Sequence, residues 1–275
     1  KAQHKIAVFD PANKSTAWIK SLGSDVSNWQ IGQSLDGVKL LVIGREALHD
    51  LKELPYTDAD IRNGLNVLML EQLPVDWEKM GLNCIEVGTR ILEPRLIDDP
   101  IIKGLTRTDL SYWQGSPDLL PANKAARSYD LRRAARVNNN HVVAPVMFEI
   151  PQRVGFQPLL AGEFDMNYSP LLRYHNGKGQ IIFCSLSLTD RLGSDPVPTR
   201  IAHGLLNNIQ DKNTRPTILV SNNKSLSELG IKQQQDVSNG LMIINGKEHT
   251  VTAEQIRSAA ASGIAAAVRH LPKKA

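Results

Sequence analysis

The chain has little of what would announce a chemistry. It carries two cysteines in 275 residues, and both, Cys84 and Cys184, sit in apolar strand-like settings (LNCIEV and IIFCSL). They read as buried free thiols and not as a disulfide, because an unpaired Cys behaves as a small core hydrophobe. No apolar run reaches the roughly 18 residues of a membrane span, so no membrane partner is expected. No signal peptide is read either, but the chain opens on Lys, as an excised fragment would, so this says nothing about export. The seven His are scattered without HxxxH or HxH spacing, and no metal site is expected. A Gly44-Arg45-Glu46 turn follows a strand without a GxGxxG or Walker pattern, so no nucleotide or other cofactor is expected. A formal charge of +4 and pI near 9.0 give no basic groove pattern, and nucleic acid is not expected as a partner.

What is present is alternating structure. Lys5–Asp10, Val38–Ile43 and Val67–Leu70 are apolar runs of strand length. Between them lie helix-like stretches, Ser15–Leu22 ending at Gly23, and Thr57–Asn63 with Thr57 or Asp58 as its cap. Strand, helix, strand at this spacing predicts parallel βαβ units. Cys84–Val87 predicts another strand at the edge of the same sheet. Ser169–His175 and Gly179–Leu186 predict a hairpin turning at Asn176-Gly177-Lys178-Gly179, where Asn and Gly tolerate positive φ. The second hairpin strand is apolar throughout, as a strand covered on both faces should be. Pro198–Ile209 closes the unit as an amphipathic helix, and 210–216 reads as a linker.

Beyond the linker the opening pattern returns. Thr217–Val220 matches Ile6–Phe9, Ser225–Gly230 matches Trp18–Gly23, Gly240–Gly246 matches Gly37–Gly44, and Ser262–Pro272 matches Asn63–Pro74. Four blocks in one order predict an internal duplication. The expected fold is α/β and flavodoxin-like: a mostly parallel sheet with helices on both faces and a C-terminal β-hairpin, followed by a βαβ half-repeat. The expected domains are 1–210 and 217–275.

The insert Glu93–His141 breaks the pattern with Pro94, Pro100, Pro117 and Pro121. It gathers Tyr112, Trp113, Arg127, Tyr129, Arg132, Arg133, Arg136 and His141. Aromatic faces with fork donors suit stacking on and bidentate bonding to a carbohydrate, neutral or acidic. The competing reading has Trp113 plugging the insert onto the sheet and the arginines decorating a solvated face.

Several stretches carry a resemblance: VIGREAL at Val42–Leu48, RLIDDPIIKGLTRTDLSYWQG at Arg95–Gly115, PLLAGEFDMNYSPLLRYHNGKGQIIFCSLSLTDRLGSDP at Pro158–Pro196, and the repeated half unit. They resemble class I glutamine amidotransferase-like domains, and more closely those in the non-catalytic part of large bacterial β-galactosidase-type glycoside hydrolases. The resemblance implies an accessory or scaffolding region of a carbohydrate-active enzyme, with a periplasmic or secreted setting. Its implied partners are a carbohydrate, other domains of the same polypeptide and a second copy of the chain. In catalytic members a Cys stands on a sharp turn after a strand. The counterpart here reads Met69-Leu70-Glu71-Gln72-Leu73-Pro74, with no Cys or Ser and no small flanking Gly. Glu71 is thus the carboxylate placed to line a cleft, and the alternative is a glycan hydrolase with its site near Glu71 and the insert. Glycosidase chemistry needs two carboxylates. Glu46, Asp98, Asp99, Glu163 and Asp165 are available partners, and no spacing selects a pair.

Overall fold

The computed structural model describes residues 6–120, 139–153, 155–191 and 195–209, and, beyond these, the backbone of 218–220, 241–245 and 265–269 with positions 254 and 257. The chain divides into two compact units, Lys1–Gln210 and Asp211–Ala275.

In the first unit the strands are β1 (Ile6–Phe9), β2 (Val26–Asn28), β3 (Leu40–Ile43), β4 (Asn66–Met69), β5 (Cys84–Thr89), β6 (Glu93–Pro94), β7 (Ala144–Glu149), β8 (Phe156–Pro158), β9 (Leu160–Ala161), β10 (Tyr168–Ser169), β11 (Leu171–Asn176) and β12 (Gly179–Cys184). The helices are α1 (Thr16–Ser21), α2 (Asp58–Asn63), α3 (Pro74–Lys79) and α4 (Pro196–Asn208). A seven-stranded sheet runs β2-β1-β3-β4-β12-β11-β8. Its first five strands are parallel, and β11 and β8 complete it in antiparallel steps. The architecture is mixed α/β with a mostly parallel central sheet, consistent with a flavodoxin-like fold.

Side chains along the central strands alternate between two cores because successive residues of a strand point to opposite faces. Ile6, Val8, Leu40, Val42, Leu68, Ile182 and Cys184 face one core, where Trp18 and Ile19 of α1 and Ile201 and Leu205 of α4 cover them. Ala7, Phe9, Leu41, Ile43, Val67, Met69, Ile181 and Phe183 face the other, under Ile61 of α2 and Trp77 of α3. That double coverage is why these runs read as continuously apolar. In α2 the Thr57 hydroxyl accepts from Asp60 N while the Asp60 carboxylate accepts from Thr57 N, a reciprocal cap legible in TDAD. The hairpin turns at Gly177-Lys178, with Gly177 at φ +61, Asn176 opposite Gly179 and Lys178 N donating to Arg62 O at the end of α2.

Two expectations are corrected. β5 is not an edge of the main sheet: it pairs antiparallel with β7 in a separate sheet ordered β10-β7-β5. Apolar composition identifies a strand but not its partner, and this pairing is set by the long connection between the two. β2 escapes the periodicity reading because its VSN is short and only half covered, as an edge strand can be.

In the second unit β13 (Ile218–Val220), β14 (Leu241–Asn245) and β15 (Ala265–Arg269) form a parallel sheet in that order. Ile218 pairs with Leu241 and Leu241 with Ala265, first residue against first residue. The same ladder occurs in β1, β3 and β4, where Ile6 pairs with Leu40 and Leu40 with Asn66. The helices expected at Ser225–Leu229 and Thr252–Ser262 lie outside the described residues, apart from helical backbone at positions 254 and 257.

Candidate functional site

In open parallel sheets ligands bind beyond the carboxyl ends of the strands, at the point where strand order reverses. Here that point lies between β1 and β3, and the protein's own carboxylate fills it. Asp10 Oδ2 accepts from Ser15 N and Thr16 N, both at 2.7 Å, and from Thr16 Oγ1 at 2.9 Å, while Oδ1 accepts from Lys14 N at 3.1 Å. The amides that start α1 are thereby occupied. Gly44 closes over this carboxylate so tightly that an added Cβ would stand 2.8 Å from Asp10 Oδ1. Ser15 Oγ accepts from Arg45 N at 2.7 Å and locks the β3 end to the same turn.

One strand further along, the ends of β3, β4 and β12 enclose a second polar cluster. Glu71 follows β4 and is 1% exposed. Its Oε1 accepts from Leu188 N at 2.8 Å, Thr189 N at 2.9 Å and Thr189 Oγ1 at 3.0 Å, so it holds the turn after β12. Gln72 laces the neighbouring ends: its Nε2 donates to Gly44 O and Leu70 O, and its Oε1 accepts from Leu48 N. Arg45 reaches over Thr189 and Asp190 with Nη1, at 3.4 Å to each, and forms an ion pair with Asp118 through Nη2. Asp190 also accepts from Ser187 Oγ and, at 3.0 Å, from Asp118 N. Arg191 is fully buried and spends its guanidinium on Ser187 Oγ, Gln114 O and Val142 O.

Burial pushes the Glu71 carboxyl above its ordinary range, and the charge of Asp190 adds to this against the opposing Thr189 amide and Arg45. Burial acts on Asp118 in the same direction, but its bond to Arg45 and the charge of that residue outweigh it and hold the carboxyl low. Arg191 is drawn down by burial, opposed by Asp190 and Asp195. Cys184, the last residue of β12, is fully buried, and burial followed by the charge of Glu71 raises its thiol well above the usual range. It offers no thiolate at neutral pH. Glu71 also lacks the geometry of a nucleophile turn: Glu46, Asp50, Tyr112 and His141 are among the non-glycine residues at positive φ, and Glu71 is not.

The loop 111–120 crosses this region and divides the aromatic pair. Trp113 is 1% exposed, packs in the core and donates its indole N–H to Asp109 O at 2.9 Å. It is unavailable to a ligand, and its place among the candidate contact residues is corrected accordingly: its large apolar face anchors the loop to the sheet. Tyr112 is 55% exposed and held at φ +52. Its N donates to Arg90 O at 2.8 Å. A left-handed conformation costs a side-chain-bearing residue about 1–2 kcal/mol. Arg90 Nε donates to Asn140 O, Ser116 Oγ donates to Asn140 Oδ1, and exposed His141 bonds Trp113 O through Nδ1 at 3.1 Å. A carbonyl only accepts, so that ring nitrogen carries the proton. Tyr112 and His141 therefore stand together around Arg90, apart from Glu71. Arg127, Arg132 and Arg133 lie outside the described residues, as do Tyr129 and Arg136. Of the other carboxylates, Asp99 pairs with Arg173, both buried, and Glu163 accepts from Thr89 Oγ1 at 3.1 Å. Among the described residues no group of three or more His, Cys, Asp or Glu is arranged to hold a metal.

Sequence reasoning missed Arg45, Asp118, Asp190 and Arg191. The available signal was Thr189-Asp190-Arg191 directly after a strand buried on both faces, a place where charged side chains must find partners.

No protein-family model matches the chain, and no curated protein does either. Among solved structures, it is similar to PurLQS from Thermotoga maritima at 10% identity and TM-score 0.44, over 74% of this chain and 98% of that one. A ThuA-like protein from Bacteroides uniformis is similar at 9% identity and TM-score 0.45, over 77% and 94%. The β-galactosidase from Bacillus circulans sp. alkalophilus is similar at 10% identity and TM-score 0.43, over 87% of this chain and 33% of that one. Likenesses this remote leave the function to be argued from the residues.

Proposed function

We propose that this chain is a non-catalytic accessory region of a carbohydrate-active enzyme, and that it contacts carbohydrate through the loop carrying Tyr112. The observation that carries the first half is the state of Glu71. A strand-end acid meant for hydrolysis must reach its substrate, whereas this one is buried and its Oε1 is committed to the Leu188–Thr189 turn. Support for the second half comes from Tyr112, a bulky residue kept exposed in a conformation that costs free energy. Its ring suits stacking on the apolar face of a sugar.

A panel of oligosaccharides, assayed with the full chain for both binding and turnover, tests this reading. Binding without product is expected, and Tyr112→Ala should weaken it about tenfold or more while leaving the thermal transition nearly unchanged. Released product would instead favour a hydrolase with its site near Glu71 and the 93–141 insert. Failure of every sugar to bind would remove the recognition role.

A further inference from the structure

Hydrogen-bond accounting around the strand ends leaves two atoms over. Glu71 Oε2 and Arg45 Nε are both buried without a hydrogen-bond partner, while every other polar atom of these two side chains is engaged. Buried polar groups are nearly always satisfied, and an exception calls for a missing partner. The two side chains meet at the Thr189 hydroxyl, which donates to Glu71 Oε1 at 3.0 Å and lies 3.4 Å from Arg45 Nη1. One leftover atom is an acceptor, or a donor when Glu71 holds its proton; the other is always a donor. A hydroxyl satisfies them in either state, since it accepts twice and donates once.

We infer that this crevice between the ends of β3, β4 and β12 receives a hydroxyl of a neutral sugar or polyol, held by Arg45 Nε and Glu71 Oε2. The inference rests on the carbohydrate reading above and narrows it to uncharged ligands. An anion would face Glu71, Asp190 and Asp118, with Arg45 already paired to the last two and Arg191 spent on carbonyls and Ser187. A cation would meet the guanidinium of Arg45. Access runs past Asp118, whose side chain is 75% exposed and whose ion pair lies over Arg45. Asp118 belongs to the same loop as Tyr112, so the stacking surface and the crevice share one mobile or rigid fate.

The test is calorimetric titration of the full chain with glucose, galactose, mannose and glycerol, and with glucuronate and glucosamine as charged counterparts. Neutral probes should bind, the charged ones at least tenfold more weakly, and Glu71→Gln and Arg45→Lys should each weaken the neutral probes about tenfold. If Tyr112→Ala abolishes binding while Glu71→Gln and Arg45→Lys bind as wild type, the inference fails and the carbohydrate reading survives. If the wild type binds none of the probes or oligosaccharides, both fail. A crystal structure of the wild type soaked in the tightest neutral probe serves where a variant does not fold. A ligand hydroxyl within reach of both atoms supports the inference, and an ordered water retained there with sugar bound elsewhere overturns it.

Discussion

Two polar clusters lie along one edge of the parallel sheet, and they are closed in different ways. At the reversal between β1 and β3 the Asp10 carboxylate meets four donors, and Gly44 leaves no room above it. At the ends of β4 and β12 the Glu71 carboxylate meets three donors on one oxygen and none on the other, beside an arginine with a free Nε–H. The first place is the one an α/β sheet ordinarily offers to a ligand, and here it is sealed by covalent chain. The second place is left incomplete. Location within a fold therefore says less about a binding site than the balance of donors and acceptors found there.

The largest expected effect tests what holds the loop over the incomplete cluster. Trp113→Ala should cost about 3–5 kcal/mol, as removal of a buried Trp does, read as a shift in urea midpoint. Because Tyr112 and Asp118 ride on the same loop, sugar binding should fall with it. A stable Trp113→Ala variant would mean that the hydrogen bonds to Arg90, Asn140 and Arg191 hold the loop unaided.

Next comes the sealed cluster. Asp10→Ala strips the partner from the Ser15 and Thr16 amides and should cost about 1–3 kcal/mol, the usual penalty for orphaned buried donors. Its effect on sugar affinity should be negligible. If Asp10→Ala instead created phosphate binding at that turn, visible by phosphorus NMR, the carboxylate would be acting as a stand-in for an anion.

The incomplete cluster should show itself in the pH dependence of stability. Below the ordinary Glu range near 4.3 the Glu71 carboxyl is protonated in both folded and unfolded chains and contributes no pH dependence. As pH rises, the unfolded chain releases its proton first while the folded carboxyl, raised by burial, still holds its own. Stability therefore falls from about pH 4.3 upward until the folded carboxyl ionises too, and levels off beyond. The difference in urea unfolding free energy between wild type and Glu71→Gln should carry this slope. A flat difference, or one rising with pH, would show that Arg45 keeps Glu71 ionised in the folded chain.

The smallest effect concerns the thiols. Burial, with the charges of Glu78 and Glu86, pushes the half-buried Cys84 up to about 11, so its alkylation rate should still be climbing at pH 9. Cys184 should stay unmodified until the protein unfolds. Rapid labelling of Cys184 in the native state would place solvent at the β12 end beside Glu71 and open the second cluster further than its burial suggests.

The central strands were legible because Leu40–Ile43 and Ile181–Cys184 show the double coverage of their environment in composition alone. α2 was legible because its cap is local: Thr57 and Asp60 lie in the same turn. Illegible features depend on partners distant in the chain. β5 finds β7 across the insert, Arg45 finds Asp118 and Asp190, and Glu71 finds Leu188. The Tyr112-Trp113 dipeptide shows the limit most plainly, since composition marks both as aromatic contact candidates and only packing sends one inward and the other out.

The position of the hairpin has a consequence for how the protein comes into being. β12 sits inside the sheet, with β4 on one side and β11 on the other, and Gln180 lies opposite Asn66. During synthesis β1, β3 and β4 emerge long before their neighbour exists, so an apolar edge at Val67–Met69 waits unpaired while the insert is translated. Loop closure over that distance is slow to be rewarded, and topologies dominated by such non-local pairing fold slowly. An exposed strand edge is meanwhile a template for another chain. Nascent chains halted before Gly179 should therefore need a holding chaperone, and release past Cys184 should be the step at which the domain becomes soluble by itself.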